Sequence, residues 1–383
     1  MDIEQFDLER GQSLWENVVE LNLSESGVHP LSLRELGEMG LDLEAVLDQP
    51  LVYVQTNGTP ELRAGIAQHY PGAGTDDIEV TNGTAEANFL VCHALLQPGD
   101  RVLFEAPNYL QVAGLARSLG AEVNTFSLRH EADWEPDWDA FERGLAAGPK
   151  LVYLSHPNNP CGKVLGEEAI ARVAEQVDAA GAWLVADEVY RGAEHDGSPA
   201  PSFWGRGERV VVTSGLSKSY GLPGARIGWL VGPRQLVDDC WLRHDYSTIA
   251  PGALSDRIAR FAVVRENQAR LQARARSYMV PNRDRVDAWA GDLDGLVRYR
   301  EPQAGAYAFV ELAFPCDTVA FCNELRERHG VLVVPGAWMG MEGYLRLGLG
   351  SPAAELEAGL DHISSEIRRV AEETARAIGS ESR

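Results

Sequence analysis

From residue 78 to residue 231 the chain alternates between two hydrophobic patterns. Short apolar runs closed by Gly, Pro, Asn or Asp read as buried strands, and they fall at 78–80, 101–104, 123–125, 151–154, 183–186, 210–213 and 227–231. Between most of them, apolar positions recur three and four residues apart, which predicts helices at 84–96, 110–119, 138–147 and 167–180. Strand and helix in turn mean an α/β domain: three layers, α/β/α, around a mostly parallel sheet. Ligands in such sheets sit beyond the carboxyl ends of the strands.

The flanks follow other patterns. Residues 6–20 predict an amphipathic helix, broken afterwards by Gly27 and Pro30. Thr59 followed by Pro60 opens a helix. Helical stretches are expected at 234–244, 251–288, 317–328 and 352–378, with strands at 307–311, 331–334 and 344–347. The expected organisation is an N-terminal arm at 1–45 joining the small domain, a large domain at 46–285, and a smaller α+β domain at 286–383.

Charge and cysteine content narrow the function. A net charge of −23 argues against nucleic acid and against anionic membrane surfaces, both of which need basic patches. The acid excess fits either a high-salt cytosol or a GC-rich genome. No apolar run approaches the twenty or so residues that cross a bilayer, and the acidic N-terminus is unlike a secretory signal. Cys92, Cys161, Cys240, Cys316 and Cys322 lie far apart without a CxxC pair, which suits a reducing, cytoplasmic setting. No metal-ligand spacing stands out.

One basic residue is conspicuous. Only Lys150, Lys163 and Lys218 are lysines among 34 Lys and Arg residues. Lys218 sits in a Gly-rich loop, Ser214-Gly-Leu-Ser-Lys-Ser-Tyr-Gly-Leu-Pro-Gly224, between two predicted core strands, with Arg226 eight residues on. A guanidinium cannot be deprotonated in a protein, whereas an ammonium with a depressed pKa can become a nucleophile. Gly83-Thr84-Ala85 follows a strand and opens a helix, the arrangement that binds phosphate on backbone N–H groups. Asp187 ends a strand, where an aspartate also serves as a helix N-cap.

These motifs, in this order from about Tyr53 to Arg346, resemble the fold-type I, aminotransferase class I/II enzymes that use pyridoxal 5′-phosphate (PLP). A closer likeness, to the capreomycidine synthase-like branch, lies in Ser26-Gly-Val-His29, in Leu216–Gly224 and in His329–Gly336. The resemblance implies a PLP-dependent transferase fold of type I. Lys218 would form the Schiff base and move the substrate α-proton. Asp187 would pair with the pyridine nitrogen, and Tyr190 and Asn159 would contact the phenolic oxygen. Arg226 would grip the phosphate with Gly83, Thr84 and Ala85. Many relatives carry a hydroxyl at the positions of Ala85 and Gly215, so the phosphate cup is expected to lean on Thr84, Ser214 and Ser217. Tyr109 would stack on the ring; a buried core tyrosine is the alternative. Tyr53 would reach the partner subunit's phosphate in a homodimer with shared active sites. Arg346 would fork onto the substrate carboxylate, with Gly27 offering an N–H to it and Asn159 beside it. His29, Trp15 and Arg34 are candidates for the side-chain pocket.

The implied activity is an aminotransferase exchanging an amino group between an L-amino acid and a 2-oxo acid. The alternative is a PLP-dependent lyase or cyclase running β- or γ-elimination with the same residues. A PLP-sensing regulator is disfavoured, because the roughly fifty residues before Tyr53 are acidic where a DNA-binding module would be basic.

Overall fold

The computed structural model describes residues 3–381. The arm opens with α1 (Asp7–Trp15), β1 (Leu21–Asn22), α2 (Leu33–Glu38) and α3 (Leu43–Leu47), and leads to α4 (Pro60–Ala67). Ser32 caps α2 in a reciprocal box with Glu35, and Thr59 caps α4 with Pro60 at its first position. α1 ends earlier than the apolar spacing predicts, because Asn17, Val18 and Val19 are weak helix formers.

The large unit follows as β2 (Ile78–Thr81), α5 (Thr84–Leu95), β3 (Arg101–Ala106), α6 (Gln111–Ser118), β4 (Glu122–Arg129), β5 (Glu135–Pro136), α7 (Trp138–Ala146), β6 (Leu151–Ser155), α8 (Glu167–Ala179), β7 (Trp183–Asp187), β8 (Val210–Gly215) and β9 (Gly228–Val231). These strands form one eight-stranded sheet of order β2-β9-β8-β7-β6-β3-β4-β5. The pairs among β4, β3, β6, β7 and β8 are parallel, while β9 runs antiparallel to both β8 and β2. β6 and β8 are buried along their whole length, which explains their unbroken apolar runs. Helices cover both faces: α5 and α6 pack against one core cluster, and α7 and α8 belong to another on the opposite side.

Next come α9 (Arg234–His244), α10 (Ala253–Ala262) and α11 (Arg265–Gly291). The stretch expected as one helix from 251 is broken at the β-branched pair Val263–Val264, and α11 then tolerates Pro281 inside it. The expected boundary at 285 and 286 falls within α11. The smaller sheet contains β10 (Val297–Tyr299) and β11 (Tyr307–Leu312); then come α12 (Thr318–His329), β12 (Val331–Leu332), β13 (Val334–Pro335), β14 (Tyr344–Gly348) and α13 (Ala353–Glu381). Its order is β10-β11-β14-β13, all antiparallel, and it packs on a separate core with Leu325, Leu356, Leu360 and Ile363. The arm pairs with this half: β1 lies parallel to β12. No helix among the described residues is long and apolar enough to cross a membrane.

Candidate active site

A cavity of about 350 Å³ opens where the carboxyl ends of the large sheet's central strands meet the arm and the smaller sheet. It is built from the turn between β2 and α5 upward. Gly83 caps α5 at φ +93°, a conformation that costs glycine little and other residues much. A side chain there would also run into the Arg226 guanidinium. The turn therefore brings the orphan N–H groups of a helix N-terminus against a fixed positive charge. Arg226 itself is left-handed, φ +49°, which is uncommon outside glycine and asparagine and marks a constrained position. Its guanidinium donates to the carbonyls of Pro223 (3.1 Å) and Asn82 (3.4 Å). Thr84 Oγ1 is buried with no hydrogen-bond partner. A Cβ on Gly215 would lie 2.6 Å from that oxygen and 2.9 Å from the Ile227 carbonyl, so a hydroxyl-bearing side chain at 215 has no room here.

Asp187 closes β7 at the cavity floor. Its carboxylate accepts from Asn88 Nδ2 (3.0 Å), Tyr153 OH (3.3 Å) and the Val189 N–H (3.0 Å). Asn88 is in turn fixed by Thr213, whose hydroxyl donates to Asn88 Oδ1 at 2.9 Å. Burial pushes the Asp187 carboxyl above its ordinary value, against those hydrogen bonds and the Lys218 charge. Such a group shares a proton readily with a heterocyclic nitrogen.

On the other wall, Arg346 comes from β14 and is 1% exposed. It donates to Asn159 Oδ1 (3.1 Å) and to the Ser24 carbonyl (2.7 Å), and its Nε has no partner. Asn159 is held through its N–H on Ser155 Oγ (3.3 Å). Behind it, buried Glu105 accepts from Asn158 Nδ2 (2.7 Å), Asn108 Nδ2 (3.0 Å) and the Ser155 N–H (3.1 Å), tying together the loops that carry Tyr109 and Asn159. Burial raises Glu105 to about 8. Tyr190 packs edge-on against Tyr307 at 5.0 Å. Tyr109 lines the cavity, and its hydroxyl donates to Glu9 of α1 at 2.6 Å.

Lys218 reaches into this space and donates to Ser26 Oγ at 3.0 Å, with Glu25 4.0 Å away. Burial pulls its pKa down, but Tyr190, Glu25 and Glu9 outweigh burial and leave the ammonium above its ordinary value. The depressed amine expected for a nucleophile is thus not what the polypeptide alone produces, because three acidic groups face it. Glu16 also lines the cavity, its carboxyl raised by burial and by the neighbouring charges of Glu25 and Glu9.

The cavity brings together Lys218, Asp187, Tyr190, Asn159, Thr84, Ala85, Tyr109, Ser217, Arg226 and Arg346. Other expected residues are not among those that line the cavity. Ser214 turns away and donates to the Glu188 carbonyl at 3.2 Å. Gly27 lies against the Ser217 carbonyl and the Lys218 side chain. Tyr53 is 83% exposed and outside the cavity. Of the three pocket candidates, Trp15 stacks under Arg326, His29 stacks on Tyr278, and Arg34 is exposed; none is among the residues lining the space. Reading the sequence missed Asn88, Tyr153, Ser26 and the arm carboxylates. Asn88 had a signal, as a lone polar residue in the buried part of α5 that Ala87, Leu90, Val91 and Cys92 otherwise make apolar. The acids of the arm had none among so many other acids.

The fold and the site define a PLP-type enzyme of the aminotransferase architecture. The family model "Aminotransferase class I and II" matches residues 45–363, and the chain belongs to that family. It is 34% identical over 367 residues to capreomycidine synthase of Streptomyces vinaceus, covering 94% of this chain and 92% of that one. Among solved structures it resembles a PLP-dependent aminotransferase from Streptococcus suis (TM-score 0.90, 30% identity, 96% of this chain and 99% of that one). It also resembles the PLP-dependent cyclase OrfR (TM-score 0.87, 29% identity, 96% and 98%). The family's cofactor is PLP, and the residues present fit its three polar ends. The unpartnered Thr84 hydroxyl and the Gly83 turn beside Arg226 suit a phosphate. Buried Asp187 suits a ring nitrogen, and Asn159 with Tyr190 suits a phenolic oxygen.

Proposed function

We propose that this enzyme is an aminotransferase that takes the amino group of a free L-amino acid and passes it to a 2-oxo acid. The convergence of Lys218, Asp187 and Arg346 on one cavity carries the reading of PLP chemistry on an amino acid, and membership of the aminotransferase family favours transamination within it. When bound, PLP supplies an aldehyde for the amine and a ring that draws electron density from the α-carbon. Among the described residues, Lys218 is the one lysine that lines this space, and its Nζ takes and returns the α-proton. Asp187 would face the ring nitrogen and hold a proton there, its carboxyl already raised by burial. Arg346 presents a planar fork to the substrate carboxylate, and its unpartnered Nε leaves capacity for it. Tyr109, tethered to Glu9, closes the side facing the arm. Cytoplasmic residence and a homodimer completed by Tyr53 belong to the same proposal.

A second reading, elimination or cyclisation, is favoured by the arm wall. Glu9, Glu16 and Glu25 of the arm line the cavity, and burial together with mutual repulsion already raises Glu16. A substrate with a cationic side chain would relieve that repulsion. Such a side chain also carries an internal nitrogen nucleophile.

Single-turnover spectra against a panel of amino acids, basic ones included, separate the two. Accumulation of aminated cofactor with the donor alone supports transamination. Release of ammonia or water with the aldehyde retained supports elimination. K218A is expected to abolish the visible band of the lysine-bound cofactor; an unchanged band refutes the site.

A further inference from the structure

Lys218 has a hydrogen-bond acceptor at close range, and it comes from the arm. Ser26 Oγ lies 3.0 Å from Nζ, whereas Glu25 Oε2 stands at 4.0 Å, beyond a hydrogen bond. Ser26 is 6% exposed and lines the cavity. Its position is fixed from both sides. The Leu23 N–H donates to the Leu332 carbonyl (2.9 Å), the Gly348 N–H to the Leu23 carbonyl (2.7 Å), and the His29 N–H to the Gly350 carbonyl (2.8 Å). A Cβ at Gly27 would lie 3.2 Å from the Ser217 carbonyl, tighter than an ordinary contact, so the absence of a side chain at 27 eases the close approach of the arm to Lys218.

The chemistry of the pair follows from its protonation states. A lysine that moves a proton alternates between an ammonium, which only donates, and an amine, which also accepts. A carboxylate at 26 would serve the ammonium alone and hold it charged. A hydroxyl accepts from the first form and donates to the second. Ser26 can therefore keep Nζ aimed in both halves of a proton transfer while gaining and losing no proton itself.

We infer that Ser26 is a positioning residue, whose hydroxyl holds the free Lys218 amine in the orientation from which it exchanges the substrate α-proton. This rests on the reading of Lys218 as the cofactor-bound lysine and adds a partner that the reading did not contain.

The test compares S26A and S26T with wild type, each as full-length PLP-loaded protein. The visible band and its pH titration are expected to be unchanged in both variants, which also shows that they fold. In S26A the single-turnover rate falls about tenfold or more and the primary isotope effect with α-deuterated amino acid rises, while S26T stays within about threefold of wild type. In the cofactor-free chain, the pH midpoint for reductive methylation of Lys218, read by peptide mass spectrometry, moves down in S26A because the ammonium has lost an acceptor. A normal band with unchanged rate and isotope effect in S26A overturns the Ser26 role alone, as does an unmoved methylation midpoint. A wild-type chain without a visible band that K218A removes overturns the assignment of Lys218, and the inference with it.

Discussion

Replacing Arg346 with glutamine (R346Q) puts the proposed carboxylate clamp to a quantitative test. The arginine is 1% exposed and has two neutral partners, Asn159 Oδ1 at 3.1 Å and the Ser24 carbonyl at 2.7 Å. Because neither partner is charged, the substitution strands no buried ion, and two orphaned acceptors cost about 1–3 kcal/mol of stability each at most. The effect on substrate is larger. Each hydrogen bond from a charged donor contributes about 1.5–3 kcal/mol, so losing a two-bond fork removes roughly 3–6 kcal/mol of binding to the carboxylate. At about 1.36 kcal/mol per tenfold, kcat/KM falls roughly 150- to 25,000-fold. Steady-state kinetics on the best amino acid from the panel, with its α-amide as comparison, provide the measurement. Wild type is expected to discriminate strongly against the amide, and R346Q to treat acid and amide nearly alike, with the visible cofactor band intact in both. A variant within about tenfold of wild type, or a wild type indifferent to the amide, refutes the clamp.

Two further predictions concern the phosphate turn. Gly228 packs so closely on the backbone of Gly83 and Thr84 that a methyl group there must displace the start of α5. G228A is expected to weaken PLP binding by about tenfold or more, an overpacking penalty of about 1–3 kcal/mol, and equilibrium dialysis giving wild-type affinity would contradict this. Behind the same turn, His244 donates from Nδ1 to Glu79 (2.7 Å) and from Nε2 to Thr248 Oγ1 (3.0 Å), with Glu86 3.4 Å from Nε2. Burial opposes the charge, but hydrogen bonds to Glu79 and Glu86 carry His244 up to about 9 from an ordinary 6.5. A raised cationic group stabilises fully below its unfolded value and loses that contribution as pH rises through its folded one. The melting temperature should therefore fall as pH climbs from 6.5 through 9, and less steeply in H244Q; parallel slopes for the two proteins would rule the imidazolium out as the cause.

Legibility in the sequence followed burial and chain continuity. The strands β6 and β8, buried throughout, and β7, buried after Trp183, announce themselves as apolar runs, and Asp187 and Lys218 stand where such runs end. Arg346 was readable only through the family resemblance of Tyr344-Leu-Arg-Leu-Gly348; its burial inside β14 emerges from the structure. β5 and β10 were not, since two or three residues at a sheet edge leave no periodicity to detect. Ser26 and Tyr153 escaped because their roles arise from contacts 192 and 34 residues away along the chain. The hydroxyl on Lys218 cannot be foreseen without knowing that β1 docks on β12. Ser214 misled for a local reason: alternation along β8 turns its side chain to the opposite face from its neighbours, toward the Glu188 carbonyl.

The docking of β1 on β12 has a mechanical consequence. Arg346 lies on the smaller sheet, and Ser26 and Glu25 follow the arm strand that docks beside it, whereas Asp187, Asn159 and Lys218 sit on loops and strand ends of the larger sheet. A few degrees of rocking between the halves would change the Arg346–Asn159 and Ser26–Lys218 distances together, like the two jaws of a caliper. Gripping the substrate and aiming the base would then be a single movement.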